Sequence, residues 1–156
     1  MRVLFLTDNF PPERNAPAAR QNVATRPAYS VDAAVREIAD YLLFVDEAPL
    51  SVKVQGASGF AEVFEKRGPF DRQGRSLRQL DLERRLLRYP CSYLIYAPMF
   101  DDLPAPAREA IYKRMWEILS GRDKSEKYAR LSDADRAAVV EILRDTKKGL
   151  PVYFRR

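Results

Sequence analysis

Eleven prolines interrupt these 156 residues, and several stand where an amphipathic run stops or starts. Proline lacks the N–H that a helix interior needs, and it disfavours the helical conformation of the residue before it. Pro49, Pro69, Pro90 and Pro151 therefore close segments, while Pro106 opens one near a first helical position. The pieces between these breaks are read below as helices.

Ser30 caps a helix predicted over Val31–Glu47, with Asp32 in its first turn. Val31, Ala34, Val35, Ile38, Tyr41, Leu42 and Val45 recur at helical spacing along one face. Ser58 caps a short helix through Phe60, Val63 and Phe64 that stops at Gly68-Pro69. Ser76 caps a helix predicted over Leu77–Tyr89, in which Leu77, Leu80 and Leu87 form a row widened by Leu82 and Leu86. Asp81 falls three and four residues before Arg84 and Arg85, the spacing of intrahelical ion pairs.

Cys91–Met99 has β-branched and tyrosine content that suits a strand, but Pro90 at a first-turn position suits a short helix. The helix is the better fit, because Cys91, Leu94 and Ile95 then share a face. Asp101 and Asp102 lie in a turn and suit a capping role, since they lack the spacing of a calcium loop. The next helix runs to Leu119 with Ala107, Ile111, Met115, Ile118 and Leu119 as its stripe, stopped by Gly121. Trp116 lies off that stripe, at a seam with a neighbouring helix or a partner. Ser132, Asp133 and Asp135 begin a last helix cored by Ala138, Val139, Ile142 and Leu143, with Lys147 and Lys148 favouring its C-terminal dipole. Val152-Tyr153-Phe154 is a short aromatic tail that docks on the bundle. The expected fold is mainly α, a small irregular helical bundle over residues 30–154. Residues 1–29 form an extended or loop segment containing a short strand, Arg2–Thr7, for which Ser51–Gln55 is the best sheet partner.

The apolar share of 46% and charged share of 31% are those of a globular chain. No apolar run approaches the ~20 residues of a membrane span, and the apolar start breaks at Thr7-Asp8-Asn9, short of a signal peptide. The expected location is the cytoplasm. One cysteine excludes an internal disulfide and a cysteine-cluster zinc site. The absence of histidine excludes Ser-His-Asp and Cys-His nucleophile pairs and histidine ligation of haem. Cys91 stands three residues after Arg88, a charge that would favour its thiolate, against the greater tendency of a lone cysteine to be buried.

The net charge of +5 is local. Lys66, Arg67, Arg72, Arg75, Arg78, Arg84, Arg85 and Arg88 face only Asp71, Asp81 and Glu83 within that window. The rest of the chain holds nineteen charges of each sign. Such a window suits an anionic partner, or it is a solvated helix face.

Two resemblances follow from particular residues. RVLFLTDNFPPE and RNAPAAR resemble the opening strand and loop of family-4-like glycosyltransferases with two Rossmann domains. The resemblance implies an acceptor-side loop role for Asn9, Pro11, Pro12, Asn15, Ala16 and Arg20. It covers about the first twenty residues and includes no donor-binding domain. From Thr25 onward the chain resembles the C-terminal region of larger uncharacterised bacterial proteins. That resemblance rests on Gly68, Pro69, Asp71, Gly74–Arg78, Arg88–Tyr96 and Ile142–Pro151. It implies no assigned activity, and without a CxxCH motif the chain attaches no c-type haem.

The leading functional expectation is a non-catalytic helical accessory or interaction domain with no cofactor and no metal. Arg72, Arg75, Arg78 and Arg88, the arginines left unpaired in this window, would meet an acidic protein or another anionic partner. One alternative is a glycosyltransferase-derived fragment. A second is a nucleic-acid-binding module through Lys66–Arg88, less favoured because it lacks the glycine–aromatic RNA motifs and a helix-turn-helix.

Overall fold

The computed structural model describes residues 30–56 and 58–155. The strand expected at Arg2–Thr7 and the loop residues Asn9, Asn15, Ala16 and Arg20 lie outside the described residues. Within them the protein is a small, mainly α-helical bundle. Its helices are α1 (Val31–Leu42), α2 (Phe60–Glu65), α3 (Pro98–Asp101), α4 (Ala105–Leu119) and α5 (Asp133–Thr146), with 3₁₀ turns at Tyr93–Tyr96, Glu126–Tyr128 and Val152–Arg155.

Local signals set the long helices. Ser30 accepts the Ala33 N–H at 3.1 Å and Ser132 accepts that of Asp135 at 3.1 Å, so each removes one orphan donor from a first turn. Pro106 lies in the first turn of α4, and Gly121 just past its end takes φ +70°. α1 packs along α4, and α4 against α5. Val35, Ala39 and Leu42 from α1 meet Ile111, Met115 and Ile118 from α4 and Val139, Ile142 and Leu143 from α5 in one core. The aromatic tail docks as expected. Phe154 is fully buried, edge-on to Tyr112 at 6.1 Å and against Trp116 at 5.1 Å. Trp116 thus does occupy a seam, between α4 and the tail.

α1 is shorter than its apolar run, because the chain turns before Glu47. The Val45 N–H bonds the Asp40 carbonyl at 3.1 Å and the Phe44 N–H bonds that of Tyr41 at 3.3 Å, with Phe44 at φ +50° between them. This is a Schellman closure with phenylalanine where glycine usually stands, and Val45 is buried behind it. Val31, Ile38 and Tyr41, expected on the inner face, are exposed. At α2 the expected Ser58 cap is absent. Gly59 holds the N-cap at φ +68° with no side-chain bond.

The largest correction concerns the helix expected at Leu77–Tyr89. Among the described residues there is no β-strand, but this segment folds back as an irregular hairpin with one isolated antiparallel bridge, Leu80 to Leu87. The Arg88 N–H bonds the Gln79 carbonyl at 2.8 Å, and the Leu82 N–H bonds that of Arg85 at 2.9 Å, with Leu82 at φ +59°. Two causes are visible. The Asp81 carboxylate accepts the N–H groups of Glu83 and Arg84 at 3.1 and 2.9 Å, a local alternative to helix bonding. Remote groups then complete the backbone. Glu65 accepts the Leu80 N–H, Glu47 accepts that of Leu86, and the carbonyls of Arg84 and Leu82 receive Leu50 and Val54. Ser51–Gln55 is therefore not a strand but an extended strap on the hairpin. Arg85, expected to pair with Asp81, reaches Asp135 on α5 at 2.7 Å.

Cys91–Met99 resolves into a 3₁₀ turn followed by α3. Cys91 and Ile95 are buried as expected, but Leu94 is 53% exposed because the tighter turn rotates it outward. Asp101 is not a cap. Its carboxylate receives the buried Lys147 ammonium at 2.6 Å.

A hairpin and a helix make opposite demands on the leucines. Leu77 is fully buried and Leu86 is 50% exposed. Leu77→Ala is expected to lower unfolding free energy by about 2–5 kcal/mol, and Leu86→Ala to change it by less than about 0.5 kcal/mol. Urea denaturation checks both. Comparable losses at the two sites would contradict the hairpin.

Candidate interaction surface

The four arginines singled out by sequence meet different fates. Arg75 is built into the fold. Its guanidinium meets Asp71 at 2.7 Å and Glu141 on α5 at 2.7 Å. Burial opposes ionisation of Asp71, but the Arg75 N–H at 2.7 Å, the Arg75 side chain and the Gln73 N–H at 2.9 Å outweigh it. The carboxyl is held below its ordinary value of 3.8, so its stabilisation is complete above about pH 4 and is lost as pH falls through the lower folded value.

Arg78 is also engaged. Its Nε donates to the Gly68 carbonyl at 2.8 Å, and its guanidinium lies 4.4 Å from the Tyr93 ring centroid and 5.4 Å from that of Phe64. Arg72 extends outward with its side chain 89% exposed and its Nε 3.4 Å from Asp145, a contact screened by solvent. Arg88 is exposed, 5.8 Å from its neighbour's ring at Tyr89, with no ion pair among the described residues. The structure thus does not leave the four unpaired as a set. Arg75 and Arg78 are held internally, and Arg72 and Arg88 project.

The outward face next to them was not legible as a site. On α2, Phe60 is 62% exposed and Val63 57% exposed, one turn apart, with Lys66 and Arg67 following at the helix end. Phe60 stacks on Phe64 at 5.4 Å, and Phe64 meets Tyr93 edge-on at 5.1 Å. The exposed Phe60 is therefore the outer layer of a ring stack whose inner layer carries Arg78. Phe70 lies so close over Gly68 that a Cβ there would stand 2.9 Å from its ring. Gly68 also takes φ +56°, a conformation that glycine adopts readily, where the chain turns away from α2. Lys66 and Arg67 are exposed and form no ion pair among the described residues, although Glu62 stands one turn before Lys66. The sequence signal was Val63 and Phe64, rather than a carboxylate, one turn before Arg67.

Other features lie apart from this face. Cys91 is fully buried, and burial pushes its thiol up to about 12, so Arg88 does not activate it. A broad groove of about 860 Å³ along α1 sets Glu37, Asp40, Asp46 and Glu47 against Arg36 and Lys127, a rim of net negative charge and so of the wrong sign for an anion. Among the described residues no group of three or more His, Cys, Asp or Glu could hold a metal ion, and no helix is long and apolar enough to cross a membrane. Compared with known protein families, curated proteins and solved structures, the chain matches none. Fold and surface define it as a small helical domain held by salt bridges between arginine or lysine and aspartate or glutamate, both exposed and buried.

Arg75→Ala leaves the Asp71 carboxylate buried without its counter-charge. The expected loss is about 3 kcal/mol, the low end for a broken buried pair, because two backbone donors remain. Arg72→Ala is expected to change stability by less than about 0.5 kcal/mol. Equal effects by chemical denaturation would refute the division into internal and projecting arginines.

Proposed function

We propose that this chain is a non-catalytic interaction domain that binds an acidic, partly apolar segment of a partner protein through the outer face of α2. The observation that carries this is the combination of exposed Phe60, Val63 and Phe70 with Lys66 and Arg67, two cations without a carboxylate partner among the described residues. An apolar centre excludes water and supplies affinity, and flanking cations select a negatively charged partner and speed its encounter. Arg72 and Arg88 extend the positive field around it. The ring stack of Phe60, Phe64 and Tyr93, fixed by Arg78, keeps the apolar centre rigid, so little side-chain freedom is lost on docking.

A nucleic-acid reading of the same charges is less favoured, because a phosphate backbone has no use for Val63 and the two most engaged arginines are unavailable to it. The two readings separate in one experiment. A labelled peptide alternating glutamate with leucine and a single-stranded oligonucleotide are titrated by fluorescence anisotropy against the unmodified chain and the double variant Lys66→Glu/Arg67→Glu. Peptide binding weakened at least about tenfold in the variant, and similarly by Phe60→Ser, is the expected result. Equal peptide binding by all three proteins refutes the proposal. Preferential oligonucleotide binding that falls steeply with salt would establish the nucleic-acid reading instead.

A further inference from the structure

α1 buries one face, where Val35, Ala39 and Leu42 enter the core, and turns another toward solvent. On that second face Ala33, Glu37, Tyr41 and Phe44 follow at steps of four, four and three, the row that one helix offers to another. The row forms one wall of the groove of about 860 Å³, and Leu86 of the hairpin also lines it. Tyr41 is 71% exposed, and half of Leu86 remains open beside it. Phe44 is half-buried and holds φ +50°, a backbone strained for a bulky residue, where a glycine would close the turn freely but would bring no ring to the groove. Both carbon and polar atoms face this space.

The charges lining the groove are unevenly engaged. Asp40 is answered within the domain by Lys127 at 2.7 Å and by the Tyr128 hydroxyl at 2.9 Å. Asp46 lies 3.8 Å from the same ammonium with its side chain 81% exposed, so that contact is weak. Glu47 spends one oxygen on the Leu86 N–H at 3.0 Å, and Glu37 is exposed; neither has an ion pair among the described residues. On the positive side Lys127 is taken by Asp40, and Arg36 is exposed without an ion pair among the described residues. Arg130 adds a charge at one end, where it donates to the Glu47 carbonyl at 2.7 Å. Three carboxylates therefore surround an apolar centre with less positive charge than would balance them.

We propose that this groove docks a cationic amphipathic helix of a partner protein. Its apolar side chains cover Tyr41, Phe44 and Leu86, and its lysines or arginines meet Glu37, Asp46 and Glu47. A helix presents anchors at steps of three and four residues, which matches the row along α1. The twelve residues of α1 span about 18 Å, enough for three turns of a partner helix. The sign of the rim disfavours a phosphate backbone and an anionic lipid surface. The chain as a whole carries +5, so a cationic segment is drawn to it only where negative charge is concentrated. The groove differs from the α2 face in residues and in sign, and neither proposal depends on the other.

The test titrates the full chain by fluorescence anisotropy against a labelled peptide with leucine and lysine at helical spacing, and against a lysine-only peptide of equal charge. The expected result is saturable binding of the leucine–lysine peptide, with the lysine-only peptide at least about tenfold weaker. Glu37→Lys/Asp46→Lys and, separately, Tyr41→Ser should each weaken binding by a similar factor with the circular dichroism spectrum unchanged. Lys66→Glu/Arg67→Glu, on the α2 face, should not weaken it. All the groove residues changed are exposed, and the charge and ring variants are independent, so misfolding of one leaves the other to decide. No saturable binding, equal affinity for the lysine-only peptide, or unchanged binding in both groove variants overturns the proposal. Two further outcomes also overturn it by assigning another occupant. Binding that appears only after Leu4→Ser/Leu6→Ser gives the groove to residues 1–29 of the same chain. Self-association in sedimentation velocity that Glu37→Lys/Asp46→Lys abolishes gives it to a second copy.

Discussion

A domain this rich in irregular connections must find donors for carbonyl groups that no helix or sheet satisfies, and arginine supplies them. Arg136 is the central case. From one position on α5 it donates to the carbonyls of Leu131 and Tyr128 at 2.9 and 2.8 Å, and to that of Ile118 at the end of α4. One planar fork therefore closes a helix terminus and pins the connection that follows it. The pattern repeats at Arg78 on Gly68, Arg108 on Leu103, Arg130 on Glu47 and Arg144 on Phe154. Lysine could not substitute, because its three donors diverge from one point instead of spreading along a rigid edge.

A second network ties α1 to α4. Asp40 accepts the Tyr128 hydroxyl at 2.9 Å and the Lys127 ammonium at 2.7 Å. Tyr128 in turn accepts from Arg114, which also holds Glu117 and Asp123. The Ser125 N–H leads the interactions that bring Asp123 down to about 2, so the carboxylate stays ionised across the ordinary pH range. Arg114 lies beside α4's buried face, where hydrophobic packing alone would have left its charge unanswered. Polar contacts here fix which face of α1 meets α4, while the packed apolar residues supply most of the driving force.

The long helices were readable in the sequence because their signals are local. Ser30, Ser132, Pro106 and Gly121 act within a turn of where they stand. The segment at 77–89 was not readable for the opposite reason. Its leucines sit at spacings that a helix and a hairpin both satisfy, and the groups that decide between them, Glu65 and Glu47, come from fifteen and thirty-nine residues away. The same limit governed the candidate surface. Charge density in the Lys66–Arg88 window is a property of sequence, but whether a given guanidinium is free is a property of contacts. Glu141, sixty-six residues from Arg75, could not be assigned to it beforehand. The exposure of Phe60 and Val63 was likewise not legible, because a six-residue helix gives too little periodicity to tell its two faces apart.

Phe154 is wholly buried among Tyr112, Trp116 and Tyr153, so the centre of the bundle is completed by a residue made after all the other core residues described. During synthesis α4 and α5 must wait, with part of their apolar surface open, until the tail leaves the ribosome. A chain that stalls before Phe154 emerges thus presents an unfinished core to chaperones and proteases.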